Sequence, residues 1–196
     1  LVGTQMVTKG LDFDKVSLVG VFDADRMMHF PDFRSYERAF QLITQVSGRS
    51  GRREKKGKVI VQTSNPVHPL FSYVTTHNVT GFLQEQLDDR RQHFYPPYSR
   101  LIDITIKHID KKICREVAEK LSHTIKENLK GTKLLGPGEP MISKIRNEFL
   151  MAILIKVPRD QGKLNDLKSF LQQAAQHLSD QKEYRNAKIV FDVDPV

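Results

Sequence analysis

The chain is 196 residues long, with 31 Lys and Arg against 23 Asp and Glu, for a formal charge of +8. Its single cysteine, Cys114, excludes an intrachain disulfide framework and a multi-cysteine zinc site within these residues; no apolar run approaches the ~18–20 residues of a membrane-spanning helix. A basic balance favours polyanionic partners such as nucleic acid, but marks no site. The opening Leu1-Val2-Gly3-Thr4 carries no initiator Met, basic region or leader cleavage site, so the chain is expected to start partway through a structural unit.

In chain order, Val16–Phe22 (VSLVGVF) is short, apolar and rich in β-branched residues, as buried strands are. Asp23-Ala24-Asp25 is polar where that strand ends. From Ser35 to Val46, Tyr36, Phe40, Ile43 and Val46 recur at helical spacing. After a Gly/Arg/Lys-rich turn, Lys58–Thr63 (KVIVQT) reads as a second strand, and strand-helix-strand in this order predicts a parallel α/β unit. Thr80 to His93 predicts an exposed helix with Phe82, Leu83 and Leu87 on one side, stopped by Pro96-Pro97.

Beyond the prolines the pattern becomes that of a small α+β domain. Ile102, Ile104 and Ile106 alternate with polar residues. Ile113, Val117, Leu121, Ile125 and Leu129 form a helix stripe that Gly131 ends. Phe149–Val157 is an apolar strand closed by Pro158; Leu164, Leu167, Leu171, Ala174 and Leu178 form a second stripe; Ile189, Phe191 and Val193 form a last strand. With a short strand near Leu134-Leu135, the simplest layout is helices on one face of a mixed sheet, as in ferredoxin-like folds.

One stretch is more specific than the rest: Gln45-Val46-Ser47-Gly48-Arg49-Ser50-Gly51-Arg52, or Q-x-x-G-R-x-G-R. Arg49 and Arg52, on a turn leaving a helix, can lie side by side, and the glycines let the backbone approach a ligand. Paired guanidinium groups suit the equatorial oxygens of a transferring phosphoryl group. From Arg49 to Lys58 basic residues dominate, which suits either phosphate contacts or a solvated turn. The histidines lack metal-ligand spacing. Phe94, Tyr95 and Tyr98 can stack on bases or pack a domain junction. Cys114 reads as a structural thiol.

Upstream, Thr4, Lys9, Gly10 and Asp12 are spaced as in motif V of superfamily-two helicases, and the arginine pattern resembles their motif VI. Both motifs belong to the second RecA-like lobe. Between them run Asp23-Ala24-Asp25, then Pro31-Asp32-Phe33-Arg34-Ser35 and Glu37-Arg38; downstream come Arg90-Arg91, Tyr95-Pro96-Pro97-Tyr98, Leu135-Gly136-Pro137 and Asp192-Val193-Asp194-Pro195. Together these resemble the PriA family of replication-restart helicases along essentially the whole chain. The resemblance implies a remnant of a second RecA-like lobe over residues 1–75, a connecting helix over 76–94, and over 95–196 a C-terminal domain of ferredoxin-like, ribosomal-protein-like fold. It implies Thr4, Gln5 and Lys9 at a DNA strand. Gln45, Gly10 and Asp12 would lie at ATP, with Arg49 and Arg52 as arginine fingers.

The same resemblance implies ATP and Mg in a longer protein, because this chain has neither a G-x-x-x-x-G-K-[ST] loop nor an acidic magnesium motif. Alone it is expected to be inactive as an ATPase. Zinc would belong to an upstream cysteine-rich module. The implied activity is ATP-dependent 3′→5′ unwinding at stalled forks, followed by primosome assembly; a non-motor binding module is the alternative. Implied partners are branched or single-stranded DNA, the single-strand DNA-binding protein and other primosome proteins, in the bacterial cytoplasm, nucleoid-associated and away from membranes. Self-association through an unpaired sheet edge is also expected. Two departures stand out. Ser47 and Ser50 replace alanines of the family pattern. Where the family usually has Arg, an aromatic and Arg, this chain has Glu148-Phe149-Leu150, so any DNA contact of that strand is expected either through Lys144 and Arg146 or not at all.

Overall fold

The computed structural model describes residues 18–48, 57–129, 131–159 and 162–195. The chain divides into two compact units, Leu1–Asp89 and Arg90–Val196.

The first unit holds β1 (Leu18–Val21), α1 (Ala24–Met28), α2 (Ser35–Ser47), β2 (Lys58–Val61) and α3 (Pro69–Thr75); α4 (Val79–His93) begins in it. β1 and β2 pair in parallel, Leu18 opposite Lys58 through Val21 opposite Val61. Strand, helix and parallel strand therefore follow as the alternation predicts. β1 ends at Val21, before the 75% exposed Phe22, and β2 ends at Val61, before Gln62 and Thr63. The helical spacing of α2 is realised, with Phe40, Ile43 and Val46 buried beside Met28, Leu70 and Phe82. On α4 the expected stripe shrinks to one anchor: Phe82 is buried, stacking on Phe40 at 4.1 Å between centroids, whereas Leu83 and Leu87 stay exposed. Helix α3 was not legible in the pattern. It has one buried residue, Leu70, and starts by local chemistry, with Pro69 in its first turn and His68 Nδ1 accepting from the Leu70 N–H at 3.2 Å.

The second unit runs β3 (Ser99–His108), α5 (Lys111–Asn128), β4 (Lys133–Gly138), β5 (Lys144–Ile145), β6 (Glu148–Pro158), α6 (Gly162–Ser179) and β7 (Lys188–Val193). The strand order is β4-β6-β3-β7, with β5 hydrogen-bonded to β6. The expected mixed sheet is corrected to an antiparallel one: β3 pairs antiparallel with both β6 and β7, and β4 and β5 pair antiparallel with β6. The reason is topological. Each helix crosses to a strand parallel to the one before it but one place removed, the split β-α-β arrangement, so every pair of neighbours is antiparallel.

The sheet's helix-facing side is the core. Ile102, Ile104 and Ile106 of β3 and Ile153 and Ile155 of β6 are fully or almost fully buried against Val117, Leu121 and Ile125 of α5 and Leu167, Leu171 and Leu178 of α6. Each such side chain contributes about 1.5–3 kcal/mol on burial. Asp110 starts α5 by accepting from the Lys112 and Ile113 N–H groups at 2.7 and 3.3 Å. Cys114 in its first turn is buried, its Sγ–H directed at the carbonyls of Ile106 and Phe149, and burial pushes the thiol's pKa up.

Two positions carry conformational cost. Gly136 has φ +95°, and a Cβ there would stand 2.7 Å from the Ala152 carbonyl oxygen, at the register shift of β4 on β6. Gly136→Ala should destabilise the chain by about 2 kcal/mol or more, through left-handed strain and that clash together, read as a lowered urea midpoint at unchanged slope. On the face away from the helices, Asp103 lies directly opposite Asp192. Burial, and then the Asp192 charge, raise the Asp103 pKa. A raised acid pKa favours the native state below the unfolded value of ~3.9, an advantage lost as pH rises through the folded value. Asp103→Asn should therefore stabilise the protein at pH ~7 by about 0.2–1 kcal/mol, the gain fading below pH ~4. Thermal melts across that range read it.

Candidate functional site

In parallel α/β units ligands bind beyond the carboxyl ends of the strands. Here those ends are joined by backbone and side chain alike. Gln62 N–H donates to the Val21 carbonyl at 2.8 Å, and Ala24 N–H to the Gln62 carbonyl at 3.0 Å. Asp23, with φ 53°, caps α1 by accepting from the Arg26 N–H at 3.2 Å. Asp25 accepts from Thr63 Oγ1 and from the Ser64 N–H, each at 2.6 Å. The hydrogen bond from Thr63, followed by that from Ser64, holds the Asp25 carboxyl below the usual carboxylate range. The D-x-D at this strand end is thus a lock between two loops, and Thr63 and Ser64 are its unforeseen half. Their legible signal was a pair of hydroxyl residues at the end of the second parallel strand.

The P-D-F-R-x-x-E-R stretch builds the entry to α2. Asp32 accepts from the Arg34 N–H at 2.9 Å and pairs with Arg38 at 2.8 Å, and the Arg34 guanidinium lies 4.8 Å from the Phe33 ring centroid. Tyr36 stacks on His68 at 5.2 Å. These contacts orient α2, whose last turns carry exposed Gln45 and end at Gly48. Gln45 is the one sequence-predicted site residue within the described segments. Thr4, Gln5, Lys9, Gly10, Asp12, Arg49 and Arg52 lie outside them. Among the described residues, no group of three or more His, Cys, Asp or Glu side chains gathers to hold a metal, and no helix is long and apolar enough to cross a membrane.

In the second unit the R-R and Y-P-P-Y stretches form a clasp. Arg90 Nη1 donates to the Pro96 carbonyl at 2.9 Å, Tyr95 N–H donates to the Arg90 carbonyl at 2.8 Å, and the Arg91 guanidinium lies 4.9 Å from the Tyr98 ring centroid. Lys156, buried on β6, donates from Nζ to the His93 carbonyl at 2.9 Å and sits 3.2 Å from the Tyr95 ring centroid. Burial, then neighbouring Lys133, lowers its pKa. The Tyr95 and Tyr98 rings are therefore committed to cations of their own unit. Asp194 closes the far end of the chain onto β3, pairing with Arg100 at 2.9 Å and accepting from the Leu101 N–H at 3.2 Å.

The model of the primosomal protein N C-terminal domain matches residues 91–196. The chain belongs to the PriA family. The replication restart protein PriA of Bacillus subtilis (strain 168) is 40% identical over 196 residues, covering 100% of this chain and 24% of that protein. That of Synechocystis sp. (strain ATCC 27184 / PCC 6803 / Kazusa) is 42% identical over 159 residues, covering 81% of this chain and 19% of its own length. That of Treponema pallidum (strain Nichols) is 34% identical over 202 residues, covering 100% of this chain and 29% of its own length. The chain thus spans between 19% and 29% of these curated relatives. The Bacillus match extends over both units of the chain.

The lock has a titration signature. Thr63→Val removes the first of the bonds that depress Asp25, so the Asp25 carboxyl should titrate closer to the ordinary carboxylate value, followed by carbon-detected NMR. Stability from the lock is present above the unfolded carboxylate pKa and is lost as pH falls through the folded one. The variant should show a weaker loss over that acid limb; an unchanged Asp25 titration would refute the role of Thr63.

Proposed function

We propose that this chain is the C-terminal part of an ATP-dependent 3′→5′ DNA helicase that restarts replication at abandoned forks and starts primosome assembly. The observation that carries the reading is 40% identity to a replication restart protein across the whole chain, motif-bearing first third included. The parallel crossover β1-α1-α2-β2 supports a RecA-like second lobe, since such lobes are built from units of this kind. The exposed position of Gln45 near the end of α2 supports a nucleotide-facing role, with Arg49 and Arg52 just beyond.

In this reading Arg49 and Arg52 are arginine fingers. Their guanidinium groups stabilise charge that spreads over the γ-phosphoryl oxygens in the transition state. Gly10 and Asp12 lie beside the nucleotide, and Thr4, Gln5 and Lys9 pass lobe closure to a strand phosphate. ATP and Mg are held mainly by a first lobe, and zinc by a cysteine-rich module, in the longer protein. The C-terminal unit binds branched or single-stranded DNA, the single-strand DNA-binding protein and other primosome proteins in the bacterial cytoplasm.

Fingers of this type are worth about 10³–10⁵ in turnover. In the full-length protein, Arg49→Ala or Arg52→Ala should cut DNA-stimulated ATP hydrolysis by ~10³ or more while DNA affinity stays nearly unchanged. Steady-state phosphate release and fluorescence anisotropy measure the two. Unwinding that survives either substitution would refute the finger assignment. The 196-residue chain alone should turn over no ATP above background.

A further inference from the structure

We infer that the free edge of β7 docks a second copy of this chain, strand against strand and antiparallel, about a two-fold axis at Val190. The inference goes beyond the helicase reading and does not depend on it. β7 closes one side of the sheet: among the described residues it pairs with β3 alone, from Lys188 opposite Lys107 to Val193 opposite Ile102. Asp194 N–H donates to the Leu101 carbonyl at 2.8 Å, one step further along the same ladder. Backbone groups alternate between the two sides of an antiparallel strand, so Asp192, Val190 and Lys188 also turn theirs toward β3. Ile189, Phe191 and Val193 then turn their N–H and C=O groups to the open edge. Such a row is a template for another strand.

The two edges of this sheet differ. β4 is blunted: its register on β6 shifts between Leu135 and Gly138, and Pro137 within that shift carries no N–H. β7 has neither a proline nor a register shift from Lys188 to Val193, and Val190 at its middle is 47% exposed.

Charge complementarity commits the edge to a second copy, because Lys188-Ile189-Val190-Phe191-Asp192 is complementary to itself. With Val190 opposite Val190 of the second copy, Ile189 faces Phe191 of that copy. These are residues whose backbone groups point outward, so each such pair exchanges both of its hydrogen bonds. Lys188 then faces Asp192 of the copy, and Asp192 faces its Lys188, as two-fold symmetry requires. An axis at Ile189 loses both ion pairs, and one at Phe191 sets Val190 against Asp192 and Lys188 against Asp194, which Arg100 already holds. Asp192 is also the acid that gains most from a cation. It stands directly across from Asp103, and burial, then that like charge, raises the Asp103 pKa. A lysine arriving on the other flank of Asp192 offsets the repulsion. Lys188 keeps reach for this role, since its side chain is 65% exposed while it holds Glu148 at 2.7 Å.

The test uses the 196-residue chain. Val190→Cys places a thiol on the axis, where a non-hydrogen-bonded antiparallel pair brings Cα atoms to about 4.5 Å, within disulfide range. Cys114 is buried, so oxidised glutathione should couple this variant into a disulfide-linked dimer, whereas Leu135→Cys on β4, 49% exposed, should stay mostly monomeric. Sedimentation across a concentration series reads the charge pairs. Asp192→Lys gives Asp103 a cation within the free chain, so the fold is kept, as circular dichroism checks. Between copies it sets lysine against lysine, and it should raise the dissociation constant about tenfold or more. Lys188→Glu combined with Asp192→Lys restores opposite charges and should restore association. An unsubstituted chain that sediments as a monomer at every concentration would overturn the proposal. Equal cross-linking at Leu135 and Val190, or association that survives Asp192→Lys, would overturn the β7 site in favour of another surface. Failure of the double variant to recover what Asp192→Lys loses would overturn the register.

Discussion

The second unit depends on β3 being hydrogen-bonded along both edges. Its partners run from Ser99 opposite Pro158 to His108 opposite Phe149 on one side, and from Ile102 opposite Val193 to Lys107 opposite Lys188 on the other. A strand paired on both edges has no register freedom, because a one-residue slip would turn Ile102, Ile104 and Ile106 away from the helices and bring Asp103 and Lys107 among them. That constraint orders everything attached to β3. Its first residues meet the clasp of Arg90, Tyr95 and Lys156 and the Asp194 closure; its last residues meet the hairpin and α5. The apolar face is strongly determined, so the opposite face is left free to carry charge, including an Asp103–Asp192 contact that costs stability.

The first unit is held by a different device. Two four-residue parallel strands make few backbone bonds, and the missing cooperativity is supplied where they end. Asp25, Thr63 and Ser64 join the loops that follow both strands. α2 is then aimed by Asp32 and Arg38 before its apolar stripe packs. The polar residues of the D-x-D and P-D-F-R stretches thus set the position of α2.

Elements with long, regular periodicity were legible in the sequence. The stripes of α5 and α6 and the alternation of β3 lie where their spacing predicts, because burial against a sheet selects for that spacing. What was not legible depended on pairing across the chain. The antiparallel order follows from β6 inserting between β3 and β4, which no local pattern reveals. Helix α3 and hairpin strand β5 are too short for periodicity and rest on a capping histidine and on two left-handed residues. The helix over Thr80–His93 is exposed as its composition predicts, and spacing alone did not reveal that Phe82 is its one buried anchor. For the site, the glycine-arginine motif lies outside the described residues beyond Gly48, and the roles of Thr63 and Lys156 were not legible. Each acquires its role only when a distant residue, Asp25 or Tyr95, is brought against it.

The departure from the PriA pattern at Glu148-Phe149-Leu150 has a physical account in these contacts. Leu150 is buried on the face opposite the helices, at 7% exposure, directly across from Lys107. An arginine there would have to desolvate beside another cation. Glu148 pairs with Lys188 across the sheet, and that bond is the first cause holding its carboxyl below the ordinary range. Phe149 keeps the aromatic position and is covered by Lys144. In this chain the cations around that stretch of strand are Lys107, Lys188, Lys144 and Arg146, so its polar end is already crowded with positive charge.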